Sequence, residues 1–324
     1  MKVLYQRKNI SFTEKLLQSY LRTNLRGQTR LTFLLARVMS SLRFVPIKIA
    51  DCEPFYVDLR RGHHDLFKGS PWEAAPWEYA EQHVMQHIVK DGDVAFDIGA
   101  NIGLHTVLLS KLVGPKGRLC VFEPNRELLP QLSLTVKGLS NASLYPFALS
   151  NKAEVATLFV PEDAAMGSLA NWTSGRDDVG ETHTINCEVR RVDDLIDSGT
   201  IPQPDLIKCD VEGAELMVFQ GGCKALNRAD APIIMFEANV YNARGFGLTV
   251  EDAKNYLASL ALPNFNFFEI QEGGSLMRIE KHHPIHSNIL AVPRSKSDRF
   301  STLSVNSISV TGKQNLKKSS LNKI

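Results

Sequence analysis

The segment VAFDIGANIGLHT, which runs from Val94 to Thr106, constrains the fold of this 324-residue chain more than any other part of it. An apolar run contains Asp97 near its end, and Gly99 and Gly103 follow. Glycine allows backbone conformations and close approaches that a Cβ atom prevents. A helix that begins directly after such a loop presents unpaired N–H groups and the positive end of its dipole. We therefore expect a buried strand, a loop that binds a small anionic or adenosine-bearing ligand, and a helix.

The spacing of the glycines argues against a dinucleotide. The dinucleotide fingerprint requires G-x-G-x-x-G where the pyrophosphate crosses the backbone. Here Asn101 stands in place of the second glycine, and the third glycine is missing. An NAD-dependent oxidoreductase therefore stays open only as a less favoured alternative.

A second apolar segment, GRLCVFEP, ends in the acidic residue Glu123. This glutamate follows Gly103 by about 20 residues, the spacing at which an acid at the tip of the second strand accepts hydrogen bonds from ribose hydroxyls. By itself, Glu123 fits better as a solvated first-turn carboxylate of the next helix. Together with the glycine loop, it predicts a binding site for adenosine.

A third apolar segment, DLIKCDVEGAE, starts at Asp205 and also ends in carboxylates. In a doubly wound sheet, ligands bind outside the carboxyl ends of the parallel strands, at the point where the strand order reverses. Asp97, Glu123, Asp210 and Glu237 each fall near the carboxyl end of a predicted strand. We therefore expect these four acids to meet at one rim of the sheet.

The D-x-G-x-N-x-G loop and the D-V-E-G-A-E run resemble FkbM-type methyltransferases, a branch of the S-adenosylmethionine (SAM)-dependent enzymes. Glu78, the segment 192–195 and Glu237 also match, and the resemblance spans roughly residues 75 to 260. It implies an α/β class I methyltransferase (Rossmann-like) fold, doubly wound, with a mostly parallel seven-stranded sheet whose last strand is antiparallel. Two β-like runs within 153–190 predict an inserted β-hairpin, whose loop around Gly167 is expected to cover the site.

The same resemblance implies SAM as the cofactor. Asp97 would lie near the methionine end, where its charge can hold the ammonium group, and Glu123 would bind the ribose. Ala148 follows the third strand and would neighbour the adenine. The expected cofactor-binding residues are Asp97, Gly99, Asn101, Gly103, Thr106, Glu123 and Ala148.

The chemistry implied is O-methylation of a hydroxyl group on a sugar, glycan or natural product. An alcohol is weakly acidic, so a base or a divalent cation should assist the transfer. Asp210, Glu237 and Glu212 are the catalytic candidates, and Asp210 and Glu237 would be the ligands of any metal. Glu212 fits stabilisation of a helix N-terminus equally well. Other candidate bases are His105, His183 and Tyr241.

The other histidine groups carry a weaker signal. His83 and His87 lie one helical turn apart, and His282, His283 and His286 are close in sequence. Neither group is accompanied by acids or cysteines at zinc-site spacing. We expect these five histidines to be solvated or to cap helices.

Composition and charge divide the chain into three parts. A content of 44% hydrophobic and 22% charged residues is ordinary for a globular protein. The first fifty residues contain ten Lys/Arg and one acid, Glu14. We predict a basic, partly helical extension over 1–70, the methyltransferase domain over 71–293, and a disordered basic tail over 294–324. The apolar stripe within 31–42 should pack on its own domain or on a partner, and peripheral membrane association is the minor alternative.

The remaining features bear on location and partners. The five cysteines lack C-x-x-C spacing, which is typical of a reducing compartment. Arginines interrupt the apolar residues near the N-terminus, so neither a signal peptide nor a transmembrane segment is predicted. We expect a cytoplasmic enzyme with a small-molecule or glycan acceptor and no nucleic-acid partner. A non-catalytic interaction protein with the SAM-binding fold is the alternative.

Overall fold

The computed structural model describes residues 16, 19–21, 23, 25, 28–39, 42–49, 51–61, 66, 76–176, 180–279 and 285–306. Its α-helices are α1 (Gln28–Val38), α2 (Pro76–Ile88), α3 (Leu104–Val113), α4 (Leu129–Lys137), α5 (Val192–Asp197), α6 (Glu215–Gly221), α7 (Cys223–Leu226), α8 (Val240–Gly245) and α9 (Asp252–Ser259). Its strands are β1 (Phe44–Ile47), β2 (Phe55–Asp58), β3 (Val94–Ile98), β4 (Arg118–Phe122), β5 (Ala142–Tyr145), β6 (Ala148–Leu149), β7 (Glu154–Val160), β8 (His183–Arg190), β9 (Leu206–Cys209), β10 (Ile233–Asn239), β11 (Asn266–Ile270), β12 (Leu276–Arg278), β13 (His286–Val292) and β14 (Val305–Asn306).

The central sheet has nine strands within the described residues, in the order β14-β12-β11-β13-β10-β9-β3-β4-β5. The five strands from β10 to β5 are parallel, and β13 runs antiparallel to both β10 and β11. This confirms the doubly wound, mostly parallel sheet with a late antiparallel strand. The expected seven strands are present, and the short edge strands β12 and β14 extend the sheet to nine.

The strand order reverses at β3, which lies between β4 and β9. Successive side chains of β3 enter different cores, because Ala95 packs in one apolar cluster and Phe96 in the other. The two clusters lie on opposite faces, since successive side chains of a strand point to opposite sides of the sheet. Because the parallel strands are buried on both faces, their sequences are continuous apolar runs and do not alternate between apolar and polar residues.

The inserted hairpin is formed by β7 and β8, which pair antiparallel from Glu154↔Val189 to Val160↔His183. Strand β6 joins them in a separate three-stranded sheet. The prediction of a hairpin in this region is therefore confirmed. A short 3-10 helix, Ala164–Met166, lies between β7 and β8. It begins the part of the hairpin loop that comes near the large sheet.

Helix α1 packs on the domain through its less apolar side. Thr32 and Ala36 are buried, whereas Leu31, Leu34 and Val38 are 46%, 58% and 76% exposed. These three residues therefore do not pack on the domain, and packing of the apolar stripe on a partner stays a prediction. No helix among the described residues is long and apolar enough to cross a membrane. Peripheral membrane association and a cytoplasmic location stay predictions.

The first part of the expected C-terminal tail belongs to the folded domain. Residues 294–300 form a 3-10 helix, and β14 pairs with β12. Arg299 forms an ion pair with the buried Asp93, Phe300 packs 5.0 Å from the ring of Phe268, and Leu303 is buried. A disordered tail starting at 294 is therefore not what the structure shows, and residues 307–324 lie outside the described residues.

This packing predicts different effects for two truncations. Removing 307–324 should leave the urea midpoint unchanged, because it takes away none of the contacts of Arg299, Phe300 or Leu303. Removing 294–324 should lower the free energy of unfolding by about 3–5 kcal/mol, because it leaves Asp93 buried without its partner. Urea unfolding of both variants checks this, and equal midpoints would contradict it.

Candidate active site

The glycine loop between β3 and α3 is shaped by a close backbone contact. Gly99 has a φ of 78°, and a Cβ atom there would lie 1.8 Å from the carbonyl oxygen of Asp210. Asn101 also has a positive φ, 55°, and Gly103, with a φ of 91°, directly precedes α3. Asparagine tolerates this conformation better than most residues with a side chain. The loop therefore fits these residue types at these positions.

Asp97 is fully buried beneath this loop. Its Oδ2 accepts a hydrogen bond from the hydroxyl of Thr106, at 2.6 Å. Its Oδ1 has no hydrogen-bond partner among the described residues. A buried acceptor without a partner is costly in a folded protein, so Asp97 retains binding capacity for a donor. Thr106 contacts Asp97 and is not among the residues that line the cleft described below.

Glu123 lies at the end of β4 and is held by two backbone amides. Its Oε2 accepts from the N–H of Asn101 at 2.9 Å, and its Oε1 accepts from the N–H of Asn125 at 2.8 Å. Burial raises the pKa of Glu123 to about 7, although these two amides oppose the shift. Each oxygen retains a lone pair that a ligand hydroxyl can use.

A cleft of about 650 Å³, including its open mouth, lies at the carboxyl ends of β3, β4 and β9. Six of the residues predicted from the sequence line it, whereas Asp97, Gly103, Thr106 and Glu237 do not. The six predicted residues in the cleft are Gly99, Asn101, Glu123, Ala148, Asp210 and Glu212.

The loop of the inserted hairpin covers this cleft, as expected for residues near Gly167. The side-chain amide of Asn125 donates to the carbonyl of Ala164 at 2.9 Å. The hydroxyl of Ser168 donates to the carbonyl of Glu212 at 2.8 Å. Both Ala164 and Ser168 line the cleft. The loop is thus attached to the main domain on two sides of the cleft.

The cleft fits an adenosine-bearing ligand in chemistry as well as position. Phe147, Ala148 and Leu158 give it an apolar wall that suits a planar base. Glu123 places carboxylate oxygens, which are hydrogen-bond acceptors, in the same cleft. A second buried acceptor, Oδ1 of Asn101, has no partner among the described residues. These groups match the donors and apolar surface of SAM.

Lys208, which sequence reasoning missed, is a buried cation in β9. Its Nζ lies 3.1 Å from Oδ2 of Asp210. Burial lowers the pKa of Lys208, but the surrounding carboxylates, led by Asp210 and Asp97, outweigh burial and raise it. Lys208 therefore stays charged and partly offsets the negative charge at the sheet rim. The one available signal in the sequence was a lysine inside an otherwise apolar strand.

Glu237 and Glu212 share a hydrogen-bonded network through Asn242. The side-chain amide of Asn242 donates to Oε2 of Glu237 at 3.2 Å and to Oε2 of Glu212. His286 lies 2.8 Å from Oε1 of Glu237, and this contact raises the pKa of His286. Burial raises the pKa of both glutamates. His286 is 46% exposed, as expected of a solvated histidine, but it also pairs with Glu237, whereas His282 and His283 lie outside the described residues.

The backbone of Glu212 is also unusual. Its φ is 54°, a left-handed conformation that non-glycine residues seldom adopt. Such conformations cost free energy and are often found at functional sites. The next residue, Gly213, has a φ of 100°, and a Cβ there would lie 2.5 Å from the carbonyl oxygen of Asn242. The turn after β9 is thus built around the contact with α8.

The histidines predicted as alternative bases have different surroundings. His105 lies 3.0 Å from Oε2 of Glu78 and 3.1 Å from Oε2 of Glu81, and it is buried. His183 is exposed and pairs with Glu127 at 3.1 Å. Among the described residues, the group whose geometry can hold a metal ion is Glu78, Glu81 and His105. The predicted pair Asp210 and Glu237 is not such a group.

Three further residues singled out in the sequence, Tyr241, His83 and His87, lie as follows. Tyr241 is 45% exposed, and the Arg176 guanidinium lies 4.8 Å from its ring centre. In helix α2, Nδ1 of His87 lies 2.8 Å from the carbonyl of His83, and the two rings are 4.5 Å apart. His83 and His87 lie within α2 and are not part of the metal-capable group found among the described residues.

Comparison with protein families identifies the domain that carries this site. The model of the methyltransferase FkbM domain matches residues 97–269, more than half of the chain. This chain belongs to the FkbM methyltransferase family. The match begins at Asp97 and includes the glycine loop, Glu123 and the turn at Glu212. The fold of this FkbM protein is that of the class I SAM-dependent methyltransferases.

Two curated relatives are also methyltransferases. The FkbM protein is 28% identical over 165 residues to a hexuronic acid methyltransferase, AglP, of Haloferax volcanii. It is 24% identical over 177 residues to Methyltransferase 1 of Beauveria bassiana. Each alignment covers 49% of this chain, and the alignments span 64% and 65% of the respective relatives.

Among solved structures, fibrillarin of Aeropyrum pernix, determined with natively bound SAM, is similar to this FkbM protein. It is 12% identical, the TM-score is 0.34, and the match covers 63% of this chain and 68% of fibrillarin.

The buried environment of Glu123 predicts a pH dependence of stability. Because the folded-state pKa is about 7 and the ordinary value is 4.5, deprotonation of Glu123 costs stability as the pH rises between these values. Glu123→Gln removes this cost. Relative to wild type, the variant should therefore gain about 2 kcal/mol between pH 5 and pH 8.

Urea unfolding of both proteins at pH 5 and pH 8 measures this difference. Glu154→Gln is the matched control, because Glu154 is exposed on β7. A difference between wild type and Glu123→Gln that is the same at both pH values would contradict the assignment.

Proposed function

We propose that this protein transfers the methyl group of SAM to a hydroxyl oxygen of a sugar, glycan or similar natural-product acceptor. The observation that carries the proposal is the placement of two buried carboxylates around one glycine loop. Glu123 faces the cleft, and Asp97 keeps an unpartnered oxygen behind the loop. This pair matches the ribose hydroxyls and the ammonium group of SAM.

The cofactor-binding residues act through charge and shape. SAM, when bound, supplies an activated methyl group. Glu123 accepts hydrogen bonds from the ribose, and Asp97 holds the ammonium group directly or through water. Gly99, Asn101 and Gly103 shape the backbone around the ligand, and Thr106 orients Asp97. Ala148 contributes to the apolar wall beside the base.

The acceptor side is formed by the acids after β9 and on β10. Asp210 lines the cleft with 35% of its side chain exposed, so it can reach an acceptor hydroxyl. Glu237 is held by His286 and Asn242. We assign proton removal from the hydroxyl to Asp210 or Glu237. The strongly raised pKa of buried Glu212 supports a positioning role for that residue, because its protonated form is a hydrogen-bond donor.

The proposal that the acceptor is a sugar is supported by a relative of this chain. The Haloferax volcanii relative is named a hexuronic acid methyltransferase, which supports a sugar acceptor here. The exclusion of nucleic acid stays a prediction. The two alternatives from the sequence differ from this proposal in separate ways. An NAD-dependent oxidoreductase would bind a different cofactor, and a non-catalytic protein would show no turnover. Transfer of label from SAM to a hydroxylated sugar or glycan supports this proposal, binding of SAM without transfer supports non-catalytic binding, and binding of NAD but not SAM supports oxidation.

Cofactor binding is the first test. Calorimetry should detect binding of SAM and of S-adenosylhomocysteine to the folded full-length protein. Glu123→Ala should weaken both ligands by about 1.5–3 kcal/mol, the usual loss when hydrogen bonds to a charged group are removed. Glu154→Ala, which removes an exposed acid of β7, should not change either affinity.

Absence of binding by either ligand at millimolar concentration would refute the methyltransferase proposal. An unchanged affinity in Glu123→Ala would refute only the role of Glu123.

Catalysis is tested at the acceptor side. Asp210→Asn or Glu237→Gln should lower turnover by about 10²–10⁴-fold for the residue that acts as the base. SAM affinity should change much less, because both residues are assigned to the acceptor. Steady-state kinetics with an identified acceptor and calorimetry with SAM provide the two measurements. Turnover within a few-fold of wild type in both variants would remove these residues from the mechanism.

A further inference from the structure

A buried group of two carboxylates and one imidazole lies outside the proton-transfer scheme described above. Helix α2 carries Glu78 and Glu81, and His105 lies in the first turn of α3. The carboxylate oxygens of Glu78 and Glu81 lie 3.0 and 3.1 Å from Nε2 of His105. The side chains of His105 and Glu81 are only 6% and 7% exposed, and that of Glu78 is 25% exposed. All three ligand atoms lie within 4.8 Å of one another.

These contacts are short but do not have the geometry of hydrogen bonds. Nε2 of His105 and Oε2 of Glu78 are buried and have no hydrogen-bond partner among the described residues. A good hydrogen bond needs the acceptor close to the N–H axis. At 3.0 and 3.1 Å both oxygens are near enough to bond, so Nε2 of His105 lies close to two acceptors without a well-formed hydrogen bond to either.

A coordinated cation produces this arrangement. When two ligand atoms are each bonded at about 2.1 Å and lie at right angles around a cation, they are about 3 Å apart. An oxygen placed in this way is well off the N–H axis of the imidazole. The distances of 3.0 and 3.1 Å from Nε2 of His105 agree with such a coordination edge.

We propose that Glu78, Glu81 and His105 form a binding site for a divalent first-row transition-metal cation. Carboxylate oxygens suit Mn²⁺, and imidazole nitrogen suits the later metals such as Zn²⁺. Two carboxylates and a neutral imidazole balance the two positive charges. Lys208, the buried cation nearby, is already paired with Asp210 at 3.1 Å. The partial exposure of Glu78 leaves a side from which a cation and its water ligands can enter.

This site is distinct from the pair Asp210 and Glu237, which the sequence suggested for a metal. Glu237 is engaged by His286 and Asn242, and Asp210 is engaged by Lys208. The proposal does not depend on the proposed methyl transfer, because it concerns binding of the metal alone.

The test is binding of Mn²⁺ to the full-length protein without SAM, followed by electron paramagnetic resonance. We expect one bound Mn²⁺ per chain with a dissociation constant in the micromolar range. Glu81→Gln should weaken binding by at least about tenfold, since an amide oxygen carries no charge. Glu127→Gln is the matched control, because Glu127 also pairs with a histidine, the exposed His183, and should leave Mn²⁺ affinity within about twofold.

A second measurement needs only the wild-type protein, so it holds even if Glu81→Gln fails to fold. Electron spin-echo modulation of bound Mn²⁺ should show a directly coordinated ¹⁴N nucleus from His105. No Mn²⁺ or Zn²⁺ binding up to 1 mM, binding without nitrogen coupling, or equal affinity in a folded Glu81→Gln protein would each overturn the proposal. Calorimetry with SAM on the same metal-free sample reports separately on the methyltransferase proposal.

Discussion

The close contact between Gly99 and the backbone of Asp210 is the constraint on which the rest of the site depends. It joins the loop after β3 to the turn after β9, and the amide of Asp210 also donates to the carbonyl of Ile98 at 3.0 Å. Any side chain at Gly99 would push these two segments apart. With the segments in contact, the acids of neighbouring strands share one cleft.

Electrostatics at this rim follow from the crowding of carboxylates around few cations. Asp97, Asp210 and Glu237 approach one another in a region where Lys208 is the buried lysine. Burial and mutual repulsion both favour protonation of carboxylates, and Lys208 opposes this effect. Burial raises the pKa of Glu212 and Glu237 at this rim, and Lys208 supplies a positive charge beside Asp210.

Much of the fold and of the cofactor side was predictable from the sequence because its signals are local. Apolar runs that end in an acid identified β3, β4 and β9, and the glycines marked the loop. For helix α1, periodicity showed that the helix has an apolar side but not which side meets the rest of the domain. The ordered segment after 293 was missed because its contacts, such as Arg299 with Asp93, join residues far apart in sequence.

The group formed by Glu78, Glu81 and His105 was missed for the same reason, because His105 is far from the two glutamates in sequence. The residues around Glu81 do not indicate a contact with His105, which follows only after the end of α2 and strand β3. Lys208 was missed for a different reason, since a single lysine in an apolar strand is usually interpreted as an exposed residue at the edge of a sheet. Only the three-dimensional arrangement shows that this lysine is buried beside Asp210.

The attachment of the hairpin loop over the cleft has a consequence for the timing of turnover. Two hydrogen bonds attach this loop to the main domain, from Asn125 to Ala164 and from Ser168 to Glu212. Each such bond contributes only about 0.5–1.5 kcal/mol net, so the loop can open without unfolding the sheet. In the proposed methyl transfer, opening of this loop would let the spent cofactor leave, and a slow opening would then limit the rate of turnover.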